Sequence, residues 1–299
     1  MRWLSDDAVA RLRDVTELPD LRGTRYRIVG ELGRGGMSVV YEAEDAELGR
    51  RVALKVLATE LSSADAAERL REEARVIARL EHPGIVPVHD VGVLPDGRVF
   101  YTMKLVRGER LDAWISAERG TTEGLRLFVR ICEAVAFAHA NGVVHRDLKP
   151  ENVMAGEFGA VLVMDWGVAC RIDGNAATAH IAGTPGWMAP EQARGESVDA
   201  RADVYALGAI LRYLAGPSPP RRLTAICARA TEPERLGRYR DAGELGADVV
   251  RYLDGEPVAA YRENVFEQAA RWLGRYRALV ALIVAYLVMR ALVFFLAGL

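Results

Sequence analysis

The sequence predicts an α+β chain in two lobes, a small strand-rich lobe followed by a mostly helical one, with an apolar helix at the C-terminal end. Three observations carry this prediction. Between Tyr26 and Leu57, short β-type runs are punctuated by a cluster of glycines. From Thr121 to Leu253, apolar residues recur chiefly at helical spacing instead. From Ala278 onward the chain is almost wholly apolar, interrupted by Arg290.

The gross composition fits two lobes and excludes several classes. A chain of 299 residues is long enough to bury one large core or two smaller ones. With 39 basic against 41 acidic residues and a net charge of -2, it lacks the basic excess of a nucleic-acid binder. Cys132, Cys170 and Cys227 lie far apart and form no C-x-x-C pair, which argues against a disulfide framework or zinc site and fits a reducing cytosol. Met1 to Asp20 is charged, so no secretory leader is expected. There is no internal repeat and no low-complexity segment.

Taken in order, residues 1–25 form a helical extension, with Leu4, Val9, Leu12 and Val15 on one face before Pro19. Strands follow over Tyr26 to Leu32, Val39 to Asp45 and Arg51 to Leu57. The first two flank Gly33-Arg34-Gly35-Gly36-Met37-Ser38-Val39-Val40, whose glycines let backbone approach a phosphate without a Cβ in the way. A dinucleotide-binding loop of this kind would open a helix. Here a strand follows.

Ala66 to Leu80 reads as a helix with Leu70, Ala74 and Ile77 on its apolar stripe. Glu73 falls on that same face, where a carboxylate is costly unless a cation meets it. His82-Pro83 ends this helix, and Val86 to Val93 and Arg98 to Lys104 pair around the turn Pro95-Asp96-Gly97. The strand-rich lobe closes near residue 108. The helical lobe, 109–254, contains a helix from Thr121 to His139 stopped by Asn141-Gly142. A hairpin of Val153-Met154 and Ala160 to Met164 delivers Asp165-Trp166-Gly167. Asp199 to Ala215 is a buried helix carrying Val204, Leu207, Leu211 and Leu214, with the acidic Asp203 among them. After Gly216-Pro-Ser-Pro-Pro220 come two more helices, over Arg222 to Thr231 and Asp241 to Leu253.

The chemistry concentrates in His145-Arg146-Asp147-Leu148-Lys149-Pro150-Glu151-Asn152. One loop sets together a carboxylate able to accept a hydroxyl proton, an ammonium able to neutralise a moving phosphoryl group, and a carboxamide able to hold a metal. With Gly33 to Val40, Val52-Ala53-Leu54-Lys55, Asp165-Trp166-Gly167 and Gly183-Thr184-Pro185-Gly186-Trp187-Met188-Ala189-Pro190-Glu191, the chain resembles the bacterial eukaryotic-like, or Hanks-type, Ser/Thr protein kinases. The resemblance covers both lobes.

That resemblance implies a two-lobed kinase fold, ATP with Mg2+ (or Mn2+) as cofactors, and proteins with Ser or Thr acceptors as substrates. It implies Asp147 as the proton acceptor, Lys149 as the charge stabiliser, and Lys55 paired to Glu73 on the α- and β-phosphates. It assigns the metals to Asn152 and Asp165. The nucleotide would lie among Leu32, Gly33, Gly35, Gly36, Val40, Ala53 and Lys55, with Met103 behind the adenine and Lys104 to Val106 as the connector. Thr184 would reach Asp147 and Lys149, favouring Ser/Thr over Tyr acceptors. Thr178 is the implied phosphorylation site, with Arg146 as its receiver. Structural roles fall to Trp166 as an aromatic plug, to Asp203 on the backbone of the catalytic loop, and to Glu191 braced by Arg238, with Arg235 a close rival. The chain departs from the family at Ser38, where a third glycine is usual, at Trp166, where phenylalanine is usual, and in a shortened helical lobe.

Residues 278–299 are long enough for one crossing of a bilayer, although Arg290 is costly there. Arg271, Arg275 and Arg277 precede this segment and nothing basic follows, which places the basic linker 255–277 and the kinase lobes on the cytoplasmic side. The expectation is a single-pass membrane kinase with almost nothing outside. A hairpin or a helix buried in a dimer is the alternative, and a homodimer is a possible working form. The competing functional class is a non-catalytic kinase-like scaffold.

Overall fold

The computed structural model describes residues 18–35, 37–58, 63–117, 119–156, 159–171, 183–275 and 277–296. The predicted helical extension falls mostly outside these residues, and 18–25 form turns leading into the first strand rather than a helix. Arg22 and Asp20 pair there, and Thr24 Oγ1 donates to the Leu21 carbonyl at 2.8 Å, closing a turn instead of a helical ladder.

Five antiparallel strands build the first lobe: β1 (Tyr26–Arg34), β2 (Ser38–Asp45), β3 (Arg50–Leu57), β4 (Val88–Val93) and β5 (Val99–Lys104), in the order β1-β2-β3-β5-β4. Period-two alternation sorts their side chains between two faces. Val39, Tyr41, Ala43, Val52, Leu54 and Val56 enter one small core with Tyr26, Leu94 and Phe100. Leu57 and Tyr101, on the opposite face, meet helix α1 (Ala64–Ala78) through Leu70, Ala74 and Ile77. Ser63 caps α1, its hydroxyl accepting from the Ala66 N–H at 3.2 Å.

A three-stranded sheet, β6 (Gly108–Arg110), β8 (Val153–Gly156) and β9 (Val161–Val163), begins the second lobe, and β7 (Val143–Val144) pairs with β10 (Cys170–Arg171). Around them lie α2 (Leu111–Ser116), α3 (Thr121–Ala140), α4 (Pro190–Ala193), α5 (Ala200–Ala215), α6 (Arg221–Ala230) and α7 (Ala242–Leu253). Phe128, Ile131, Cys132 and Val135 of α3 share one core with Val204, Leu207 and Leu211 of α5 and Leu245 and Val249 of α7. The two catalytic segments leave this rigid body at its edge: β7 feeds residues 145–152, and β9 feeds residues 164–167.

Within the predicted linker 255–277, the described residues form a strap followed by a helix. Asp248 on α7, fully buried, accepts from the Ala259 and Ala260 N–H groups at 2.6 and 3.0 Å and from the Tyr239 hydroxyl at 2.8 Å. Glu263 then receives Arg271 Nε at 2.9 Å and lies 3.3 Å from Arg222 Nε of α6. Asn264 and Glu267 cap helix α8 (Val265–Arg275) reciprocally, at 2.8 and 3.0 Å.

The predicted apolar segment forms α9 (Arg277–Leu296), 20 residues long. Its described side chains run only from Val280 to Val293, plus Phe295, and include Arg290. On these described residues no helix is long and apolar enough to cross a membrane.

Candidate active site

Antiparallel register decides what faces the cleft. On β3, Lys55 lies opposite Tyr101 of β5 and Val40 of β2, and Ala53 lies opposite Met103. Lys55 therefore projects towards α1 on the same face as Tyr101. Glu73, on the inward stripe of α1, accepts from Lys55 Nζ at 2.8 Å, and both side chains are buried. Lys55 also donates to Asp165 Oδ1 at 3.0 Å. Burial opposes the Lys55 charge, but Tyr101, Glu73 and Asp165 around it outweigh burial and raise its pKa well above the ordinary lysine value. For Asp165, burial pushes the carboxyl up while Lys55, His145 and Lys149 hold it below the usual carboxylate range. The site is thus built to keep both partners charged.

Above this pair, Gly35 N–H donates to the Ser38 carbonyl at 2.8 Å and Gly33 pairs with Val40, giving a tight turn between β1 and β2. Leu32 is exposed and Val40 half-buried at this edge, while Ala53 is buried beneath. Gly36 lies outside the described residues. At the far end of β5, Met103 is half-buried, and the Lys104 N–H donates to the Pro87 carbonyl at 3.1 Å. That amide is therefore engaged within the protein.

The second charged group stands on the loop after β7. Asp147 Oδ1 accepts the Thr184 hydroxyl at 2.7 Å, and its Oδ2 lies 3.0 Å from Lys149 Nζ. Lys149 also donates to Thr184 Oγ1 at 2.7 Å. Asn152 Nδ2 donates to the Asp147 carbonyl at 2.8 Å, which leaves the Asn152 side-chain oxygen as an acceptor. The Met164 N–H donates to the Asn152 carbonyl at 2.9 Å, fastening the Asp165 segment to this loop.

Asp203 holds the loop from below. Fully buried at the start of α5, it accepts from the His145 and Arg146 N–H groups at 2.8 and 2.9 Å and contacts His139 Nε2 at 2.9 Å. Burial pushes this carboxyl up, yet His139, His145 and those amides hold it below its ordinary value. Arg146 and Asp165 both adopt positive φ, 67° and 59°, backbone strain concentrated at the two chemically loaded segments. Trp166 is buried against the His145 ring, centroids 4.6 Å apart. His145 Nε2 contacts the Met164 carbonyl at 3.0 Å and its Nδ1 accepts from the Asp147 N–H at 3.3 Å, so one ring spans both catalytic segments.

Glu191 on α4 is gripped by Arg238, whose two terminal nitrogens donate at 2.7 and 2.8 Å. Arg238 also donates to the Glu232, Arg201 and Pro233 carbonyls. Its rival Arg235 instead donates to the Ser197 carbonyl at 3.2 Å. Arg146 Nε donates to the Val168 carbonyl at 2.5 Å. Its implied partner, Thr178, lies outside the described residues.

Three contacts escaped the sequence: Tyr101 on Glu73, His139 on Asp203, and Gln192, whose amide donates to the Arg146 carbonyl at 2.8 Å. Tyr101 carries no motif, since an aromatic residue on a strand suggests core. His139 falls four residues after Val135 on the inward face of its helix, and that spacing is a signal that could have found it.

Comparison with known proteins agrees with this geometry. The chain matches the protein kinase domain family over residues 26–230. It is 38% identical over 281 residues to the serine/threonine-protein kinase PknB of Mycobacterium tuberculosis, covering 81% of this chain and 45% of that protein. It is 43% identical over 206 residues to the DNA damage-responsive serine/threonine-protein kinase RqkA of Deinococcus radiodurans, covering 66% of this chain and 30% of that protein. Thus it spans less than half the length of these curated relatives. The crystal structure of the PknI kinase domain of Mycobacterium tuberculosis superposes with a TM-score of 0.60 at 27% identity, over 77% of this chain and 96% of that one. With the cleft, its two charged groups and these similarities in hand, the chain belongs to the protein kinase domain family.

Proposed function

We propose that the chain is a Ser/Thr protein kinase that transfers the γ-phosphoryl group of ATP to Ser or Thr hydroxyls of proteins. The convergence of Lys55–Glu73–Asp165 with Asp147–Lys149–Asn152 in one cleft carries this reading. Such transfer needs little covalent chemistry from the protein and depends on positioning and charge. Asp147 orients the acceptor hydroxyl and takes its proton, and the Thr184 hydroxyl on Asp147 Oδ1 marks where an alcohol fits. Lys149 lies beside the same carboxylate and offsets charge on the transferring group. Lys55 holds the α- and β-phosphates, oriented by Glu73.

The metal positions fit Mg2+, or Mn2+. Asp165 offers a half-exposed carboxylate and Asn152 a side-chain oxygen, hard donors of the kind that share Mg2+ with substrate phosphates. Among the described residues no group of three His, Cys, Asp or Glu could hold an ion alone. Asp165 and Asn152 would hold the ion, and its charge would offset that of the ATP phosphates. Gly33, Gly35, Leu32, Val40, Ala53, Met103 and the Lys104–Val106 backbone would enclose the nucleotide, with Gly36 as the further glycine of the same loop in sequence.

The same reading places α9 in a bilayer with the lobes on the cytoplasmic side, in a single pass. Leu282, Ile283, Val284, Leu287, Val288, Leu292 and Val293 are all at least half exposed to their surroundings, and a helix apolar on every side belongs in lipid or a core. Phosphorylation of Thr178, received by Arg146, and pairing of two copies complete the proposal.

The test is incubation of the full chain with γ-labelled ATP and magnesium, with and without a basic acceptor protein. Label should appear on Ser or Thr and be lost in Asp147→Asn. If the wild type transfers no more label than that variant, the kinase reading fails and a non-catalytic scaffold takes its place.

A further inference from the structure

The cleft contains one buried polar group that the phosphoryl-transfer scheme does not use. Tyr101 on β5 is 1% exposed, and its hydroxyl donates to Glu73 Oε1 at 2.9 Å. That oxygen is the one bound by Lys55 Nζ at 2.8 Å. Lys55 Nζ also lies 5.9 Å from the centre of the Tyr101 ring. The pairing of β3 with β5 sets Tyr101 directly opposite Lys55, so the two strands present the ammonium and the hydroxyl to α1 side by side.

We propose that Tyr101 is a positioning residue for the reaction proposed above, a latch that holds Glu73, and through it Lys55, in the geometry that receives the phosphates. The physical reason is the cost of stranding a buried hydroxyl. If α1 turned outward and carried Glu73 away, the Tyr101 hydroxyl would lose its acceptor in a site closed to water. Outward movement therefore breaks two bonds to one oxygen rather than one. Leu70, Ala74 and Ile77 flank Glu73 on α1 and pack into the same core as Tyr101, so the latch acts on the whole helix. Burial, opposed by Lys55 and reinforced by Glu73, moves the Tyr101 hydroxyl well above its ordinary pKa. It therefore stays protonated, and a donor, at neutral pH.

Tyr101→Phe removes the hydroxyl and keeps the ring. Hydrogen exchange along residues 64–78 of the nucleotide-free full chain should accelerate roughly tenfold or more, the scale of one hydrogen bond to a charged group. kcat/KM for ATP should fall by a comparable factor. In a Glu73→Ala background the same change should cost less than twofold, because the acceptor itself is already gone. A purely structural role would lower activity equally in both backgrounds. Exchange in Tyr101→Phe within twofold of the wild type, or equal losses in both backgrounds, would overturn the latch. If the exchange changes as expected while the wild type transfers no phosphate, the latch stands and the kinase reading alone falls.

Discussion

Asp147 shows how much one carboxylate can be asked to do. It meets a hydroxyl, an ammonium and a carboxamide within 3.3 Å, so its orientation is fixed before any substrate arrives. Asp147→Asn keeps the shape and removes the proton acceptor, and labelled transfer should drop by about 10²–10⁴-fold, the usual scale of general base catalysis. Arg238 sets a different kind of test. Its side chain and that of Glu191 are 0% and 3% exposed, and breaking a buried pair leaves an uncompensated charge. Arg238→Ala should destabilise the fold by about 3–5 kcal/mol in urea unfolding, and Arg238→Lys, which keeps the charge but not the fork, by less. The pairing of Lys55 with Glu73 was foreshadowed by an acidic residue on an apolar helical stripe. Arg238 was favoured over Arg235 from the sequence, but the margin was narrow because the short 3-10 turn Arg235–Gly237 between them carries no motif. Tyr101 was invisible for the same reason: its partner is set by strand register, and no motif records register.

Among the elements, α5 does more than fill the core. Its first turn carries Asp203, which ties the loop of residues 145–152 to α5 through two amides and is itself held by His139 of α3. The sign of the resulting pH dependence follows from the depressed folded pKa. The stability contributed by Asp203 is fully present above the ordinary carboxylate value of 3.8 and is lost as pH falls from there through the folded value. Urea midpoints measured between pH 7 and pH 3 should fall more steeply at the acid end for the wild type than for Asp203→Asn. Equal slopes would show that the carboxyl does not carry this stability. Helix periodicity located α3, α5 and α7 well, since each has an unbroken apolar stripe. The face it reads over Leu4 to Val15 lies outside the described residues, and it gave no hint of α8, which lies within a stretch dominated by its charges. Those charges turn out to be consumed in capping and in pairs with α6.

Taken as a whole, the molecule holds its cleft beside two hydrophobic cores and carries α8 and the apolar α9 after the helical lobe. Val265 and Phe266 on α8 are 73% and 82% exposed, and α9 follows within a few residues. If α9 lies in a bilayer, the full chain should sediment with membranes and a chain ending at Arg275 should not, while its transfer activity per molecule in solution stays within about threefold. Unchanged fractionation of the shortened chain would remove the bilayer from the proposal. Length and composition made two lobes legible from the start, because strand and helix periodicities change over along the chain. How the C-terminal segments meet the helical lobe was not legible, since it depends on Asp248 taking the Ala259 and Ala260 amides and on Glu263 reaching Arg222, contacts that no motif records.

Those two anchors have a mechanical corollary. Asp248 and Glu263 leave little slack between α7 and α8, so a pull on the C-terminal helices would be transmitted to α6 and α7 instead of being absorbed by loose chain. Under load the first joints to give should be the ion pairs of Arg222 and Arg271, whose side chains are 20% and 24% exposed, with the fully buried Asp248 clasp yielding last.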